Sequence, residues 1–246
     1  MNQPTGRDNR TMANKPISTV VIISALDEEA AHIAASLNDV TEERRASLTI
    51  THGTLPTHDG RELNVSVTVG GMGLVNAAAT TQCLIDVAQP DAVLFSGIAG
   101  NLNPDLHIND IVLGETLRYL DTDMRLVGQW KPQAEEFHSD PELIALAEAA
   151  LDGMGIHHVN GVIASGNYFV DSPEAVERVI RETHADAVEM EGAAVVHVAA
   201  RNDVPALVIR AMSDNADTDY EDFKTFDVSE YADTAAKLAV EILTRM

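Results

Sequence analysis

The chain has 246 residues, 45% hydrophobic and 22% charged, and 16 Lys+Arg against 39 Asp+Glu leave a formal charge of −23. That profile describes a folded globular protein with one sizeable core, and it argues against nucleic acid or an anionic membrane surface as partner, since both need clustered Lys and Arg. The single cysteine, Cys83, excludes a disulfide framework and a Cys-based zinc site. The longest apolar run, Val20–Leu26, is far too short to span a membrane.

Residues 1–16 are polar, without periodicity, and carry Arg7, Arg10 and Lys15 against Asp8. We expect a flexible N-terminal tail followed by one domain over residues 17–246, with Met1 and Met12 both open as the start. Met1–Ser18 has no hydrophobic stretch, which makes a cytoplasmic location the expectation.

Strand-like and helix-like blocks then alternate. Ile17–Ala25 is a β-branched run, as in a strand covered on both faces. Ala30, Ile33, Ala34 and Leu37 follow at helical spacing. Leu48–Thr54 and Leu63–Val69 flank a Thr57–Gly60 turn and predict a hairpin. After Gly70-Gly-Met-Gly73, a helix places Leu74, Ala78, Thr81 and Ile85 on one face. Further strands are expected at Ala92–Ser96, Val159–Ser165, Ala187–Met190 and Ala206–Ala211, a helix over Gly192–Arg201, and a last helix carrying Ala235, Leu238, Ala239 and Ile242. The alternation implies an α/β fold with a mostly parallel sheet between helices. Ligands of such folds bind beyond the carboxyl ends of the strands, where this chain keeps its unusual polar residues.

Each of those residues also admits a structural explanation. Asp27-Glu28-Glu29 suits a helix N-terminus by charge alone, although a single one of the three would suffice as a base. The turns Gly70–Gly73 and Gly97-Ile-Ala-Gly100 allow close backbone approach to a ligand, which would bring Ala99 and Gly100 to it. They match neither a P-loop nor a dinucleotide fingerprint and contain no cation. In Val188-Glu-Met-Glu191, Glu189 and Glu191 project to one side of an extended segment, where burial is costly unless the charge is paired or used. Arg210 and Asp214, at the end of another buried strand, form either an ion pair and cap or part of a site. The histidines show no metal-ligand spacing, so neither metal nor cofactor is expected.

Taken in order, Ala25–Glu29, Gly71–Gly73, Ser96–Gly100, Ser165-Gly-Asn-Tyr-Phe169, Val188–Glu191 and Arg210-Ala-Met-Ser-Asp214 resemble the nucleoside phosphorylase/nucleosidase superfamily, and within it the methylthioadenosine/S-adenosylhomocysteine nucleosidases. The resemblance runs from about Val20 to the C-terminus. It implies one α/β domain around a central, partly barrel-like mixed sheet, usually a homodimer, that takes a small purine nucleoside and hydrolyses its bond to adenine. It further implies Asp214 as general acid at the purine N7, oriented by Ser213, and Glu29 as the base that holds the attacking water, with Arg210 nearby. Glu191 would accept hydrogen bonds from the ribose hydroxyls and Met190 would pack under the sugar. Phe169 would stack on adenine, the Val170 backbone would read its edge, and Met72 would lie beside the ribose and its 5′-substituent. The chain departs from the family pattern at Ile98, where a Ser is common, at Asn167, where an Asp is common, and at Leu120, where a His is common.

The chemistry is coherent without the resemblance. Adenine leaves poorly as an anion, so protonating it from a carboxylic acid lets the glycosidic bond open toward an oxocarbenium-like sugar, which a carboxylate-activated water captures. The alternatives are another purine nucleosidase, or a phosphorylase of the same superfamily, which would need Arg residues to hold phosphate where this chain has Asp27–Glu29.

Overall fold

The computed structural model describes residues 16–214, 216 and 229–246. Residues 1–15, nearly all of the expected tail, lie outside the described residues. In chain order the elements are β1 (Thr19–Ser24), α1 (Asp27–Ala35), β2 (Asn38–Arg45), β3 (Leu48–Pro56), β4 (Glu62–Val69), α2 (Leu74–Ala88), β5 (Ala92–Asn101), β6 (Ile111–Tyr119), α3 (Met124–Val127), β7 (Phe137–His138), α4 (Pro141–Met154), β8 (His158–Ser165), α5 (Pro173–Thr183), β9 (Ala187–Glu189), α6 (Gly192–Arg201), β10 (Ala206–Asp214) and α7 (Ser229–Arg245).

The strands form one sheet, and β5, β10, β6, β8 and β9 pair in turn until β9 returns to β5, closing a ring. From β5 the sheet continues outward through β1, β4, β3 and β2. The mostly parallel sheet read from the alternation is therefore corrected to a mixed one. β5 is parallel to β1 and β10 but antiparallel to β9, and β6 is parallel to β8 but antiparallel to β10. Ring closure contributes the pairings β5–β9 and β6–β10 to the mixture, and the antiparallel β2, β3 and β4 contribute the rest with the short β7.

β1 shows why its sequence is apolar on both faces. Val20 and Ile22 belong to one core cluster with Ile33 of α1, Leu143 of α4 and Leu238 of α7, while Val21 and Ile23 belong to another with Leu84 of α2 and Val195 of α6. In α7 the stripe Ala235, Leu238, Ala239 and Ile242 is fully buried. No helix among the described residues is long and apolar enough to cross a membrane.

Three strands were not anticipated. β2 is almost wholly polar and exposed. β7 has two residues, and β6 changes from a buried half to a partly exposed one at a register shift between Gly114 and Thr116. Two strands also run further than their apolar cores. β5 continues through Gly97–Gly100 to Asn101, so that segment is strand rather than turn, and β10 continues to Asp214.

Candidate active site

A cavity of about 410 Å³ opens where the carboxyl ends of β5, β9 and β10 meet the start of α1 and the loops after β4 and β8, and Glu29, Glu191 and Asp214 all face it. Ala99, Gly100, Phe169, Val170, Met190, Ser213 and Met72 line it as well.

Glu29 sits in the first turn of α1 and is the one buried member of the acidic triplet; Asp27 and Glu28 are exposed. Its Oε2 accepts hydrogen bonds from the backbone N–H groups of Ala25 (2.8 Å) and Leu26 (2.9 Å), so it reaches back over the helix entrance as the acid of a capping box does. Oε1 accepts from the Ile98 N–H of β5 at 3.2 Å. Burial pushes its pKa up, opposed by the Arg210 charge and these backbone donors. Gly97 makes the approach possible, because a Cβ there would lie 2.6 Å from Glu29 Oε1.

Asp214 ends β10 just after a register shift against β5 that falls between Met212 and Asp214. Irregularities of this kind re-aim side chains next to functional sites. Its Oδ2 lies 2.8 Å from the Ser213 hydroxyl and its Oδ1 accepts from the Ala216 N–H at 2.7 Å. The Ser213 hydroxyl is also 3.3 Å from the Ala99 carbonyl oxygen, which ties the acid to β5.

Glu191 occupies the N-cap position of α6. Its Oε1 accepts from the Gly73 N–H at 2.6 Å. Gly73 has φ +99°, a conformation that strains any residue with a side chain, so the glycine turn serves to aim a backbone donor at Glu191. Burial, together with the negative charges of Glu189 and Glu29, pushes the Glu191 pKa up to about 8, against the opposing effect of Arg210 and the Gly73 N–H.

Two residues expected at the ligand are engaged elsewhere. Arg210 is 1% exposed and does not line the cavity; its Nη2 donates to Glu189 Oε2 at 2.7 Å and its guanidinium lies 3.9 Å from the Phe95 ring centroid. Glu189 borders the cavity, but Oε2 also accepts from the Glu191 and Gly192 N–H groups and Oε1 from the Ser165 hydroxyl. The pair is a buried support beneath the site. The partners of Glu189 come from β8, β10 and α6, and no sequence spacing announces that convergence.

The apolar wall includes Ala25, Leu26, Ile98, Val188 and Tyr168, none of which the motifs singled out as contacts. Tyr168 is held by Arg178, whose Nη2 donates to its hydroxyl at 2.9 Å. Asn167 accepts from the Leu74 N–H at 3.0 Å and so ties the loop after β8 to the start of α2. Neither Lys nor Arg lines the cavity among the described residues, and no group of three His, Cys, Asp or Glu there is placed to hold a metal.

The sequence profile of the Phosphorylase superfamily matches residues 19–246. A 5′-methylthioadenosine/S-adenosylhomocysteine nucleosidase of Lysinibacillus sphaericus is 33% identical, over 92% of this chain and 97% of that protein. The solved structure of a 5′-methylthioadenosine/S-adenosyl homocysteine nucleosidase from Helicobacter pylori is 30% identical and superposes with a TM-score of 0.84 over 94% of this chain and all of that one. A futalosine hydrolase of the same organism, 31% identical, superposes with a TM-score of 0.83 over 93% of this chain and 98% of that one.

Proposed function

The chain belongs to the methylthioadenosine/S-adenosylhomocysteine nucleosidase family of the phosphorylase superfamily, and from that membership we propose that it is an N-glycosyl hydrolase of 5′-methylthioadenosine and S-adenosylhomocysteine, releasing adenine and the 5′-thio-substituted ribose. The observation that carries hydrolysis over phosphorolysis is the charge of the cavity. Five acidic residues line it, Glu29, Asp171, Glu189, Glu191 and Asp214, and the Arg210 guanidinium is buried below and bound to Glu189. A phosphate dianion would meet repulsion with no cation to hold it.

In this reading Phe169 stacks on the purine, the Val170 backbone lies at its edge and Met190 packs under the sugar. Asp214 delivers a proton to N7, the C1′–N9 bond opens with its electron pair passing to the base, and the sugar develops oxocarbenium character. Water adds to C1′ and gives its proton to Glu29. Glu191 accepts from the ribose hydroxyls, and Met72 borders the 5′-substituent. The apolar wall suits a thioether, and no basic cluster is present among the described lining residues for a 5′-phosphate. The reading includes a cytoplasmic location, consistent with the free Cys83, and a homodimer. Support for the dimer comes from exposed apolar side chains, Met72, which lines the cavity and is 48% exposed, and Val75 in the first turn of α2, which is 77% exposed.

The test is release of the free purine base from methylthioadenosine, S-adenosylhomocysteine, futalosine and AMP, each with and without phosphate. We expect phosphate-independent turnover of the two thio-nucleosides. A ribose 1-phosphate product would overturn hydrolysis, preferential cleavage of futalosine would reassign the substrate, and a monomer by sedimentation would refute the dimer.

A further inference from the structure

Glu191 stands at an N-cap without capping its helix: its side chain makes no hydrogen bond to the first turn of α6. Side chains at this position ordinarily turn back onto the N–H groups two and three residues ahead, which otherwise lack partners. Two other residues have taken over that task. Glu189 Oε2 accepts from the N–H of Gly192 at 2.8 Å and of Glu191 at 3.1 Å, and Ser165 Oγ accepts from the N–H of Ala193 at 2.8 Å while donating its own proton to Glu189 Oε1. Ser165 is fully buried at the end of β8 and does not line the cavity. With the helix start already satisfied, the Glu191 carboxylate is released to face the cavity and take the Gly73 N–H.

We propose that Ser165 is a positioning residue for nucleoside cleavage, capping α6 together with Glu189 so that the Glu191 carboxylate is held on the cavity wall. The proposal rests on the reading of Glu191 as the ribose-hydroxyl acceptor. Removing the Ser165 hydroxyl leaves the Ala193 N–H without an acceptor and Glu189 without the donor that fixes its Oε1. The nearest replacement cap is Glu191, which then turns from the sugar toward its own helix.

A role confined to packing would weaken every substrate alike, whereas this role acts only on ribose hydroxyls. The experiment compares kcat and KM for methylthioadenosine and its 2′,3′-dideoxy analogue in wild type, Ser165→Ala, Glu191→Gln and the double variant, with circular dichroism as folding control. In Ser165→Ala, KM for the ribo substrate should rise about ten-fold, the scale of one lost hydrogen bond, with little change for the dideoxy analogue. Adding Ser165→Ala to Glu191→Gln should then cost little more, because the two act through one contact. Hydrogen exchange at the Gly73 amide in Ser165→Ala should accelerate without substrate present. Equal losses on both substrates, or an unchanged Gly73 amide, would overturn the proposal. If wild type and Glu191→Gln discriminate the two substrates alike, the ribose reading of Glu191 itself fails and the proposal falls with it. Should Ser165→Ala not fold, Ser165→Cys, similar in shape but a poor hydrogen-bonding partner, provides the same comparison.

Discussion

Replacing Glu191 by Gln should make the protein more stable at neutral pH while weakening its hold on substrate. Burial beside Glu189 and Glu29 raises the Glu191 pKa from 4.5 to about 8, so the folded chain keeps this proton over a range in which the unfolded chain has lost it. The stability it contributes is complete below about pH 4.5 and is lost as pH rises toward 8. At about 1.36 kcal/mol per pKa unit, the loss between pH 5 and 8 amounts to roughly 3 kcal/mol. Gln has nearly the same shape, still accepts the Gly73 N–H, and does not titrate. Urea unfolding of both proteins at fixed concentration at pH 5, 6, 7 and 8 measures the difference. We expect near-equal stability at pH 5 and a variant favoured by a few kcal/mol at pH 8. A difference that stays constant across the series would refute the assignment of a buried, proton-retaining carboxyl at this position.

Asp214→Asn should fold normally and bind substrate, but lose about 10²–10⁴-fold in kcat, the usual contribution of a general acid; retention of more than about a tenth of the activity would exclude that role. Glu29→Gln should likewise lose kcat with KM nearly unchanged, as steady-state kinetics will show, because a neutral amide positions water without accepting its proton. Gly97→Ala brings a methyl group within 2.6 Å of Glu29 Oε1 and should lower kcat by at least ten-fold at modest cost in stability. Normal activity in that variant would mean that β5 does not fix the base.

The parts of the fold legible in the sequence are those where one signal dominates. β1 is buried along almost its whole length, and the apolar positions of β4 and the stripe of α7 are buried at strand and helix spacing, as their patterns say. Gly97–Gly100 was misread because four residues rich in glycine look like a turn, whereas the glycine at 97 makes room for a carboxylate arriving from α1. At the site, Glu29, Glu191 and Asp214 stood out as acids at strand ends and the fold brings them to one cavity. Arg210 stood out equally and lies below the cavity bound to Glu189, because whether a buried charge meets a ligand or a counter-ion depends on a partner distant in sequence. Ser165 drew no notice on its own account: a small hydroxyl acquires meaning only once a helix starts beside it.

β2 escaped recognition because Asp39, Glu42, Glu43, Arg44 and Arg45 make it read as a loop. It ends the strand order on the side away from the closed ring, with only β3 beside it among the described residues. Backbone groups left unpaired there are the natural template on which another chain could add a strand. A neighbour docking in register would bring its own acids and arginines against these and would have to strip water from both. The residues that hide this strand from a pattern search thus guard the sheet against self-association, and replacing them with Val or Thr, better strand formers, is the change that would invite it.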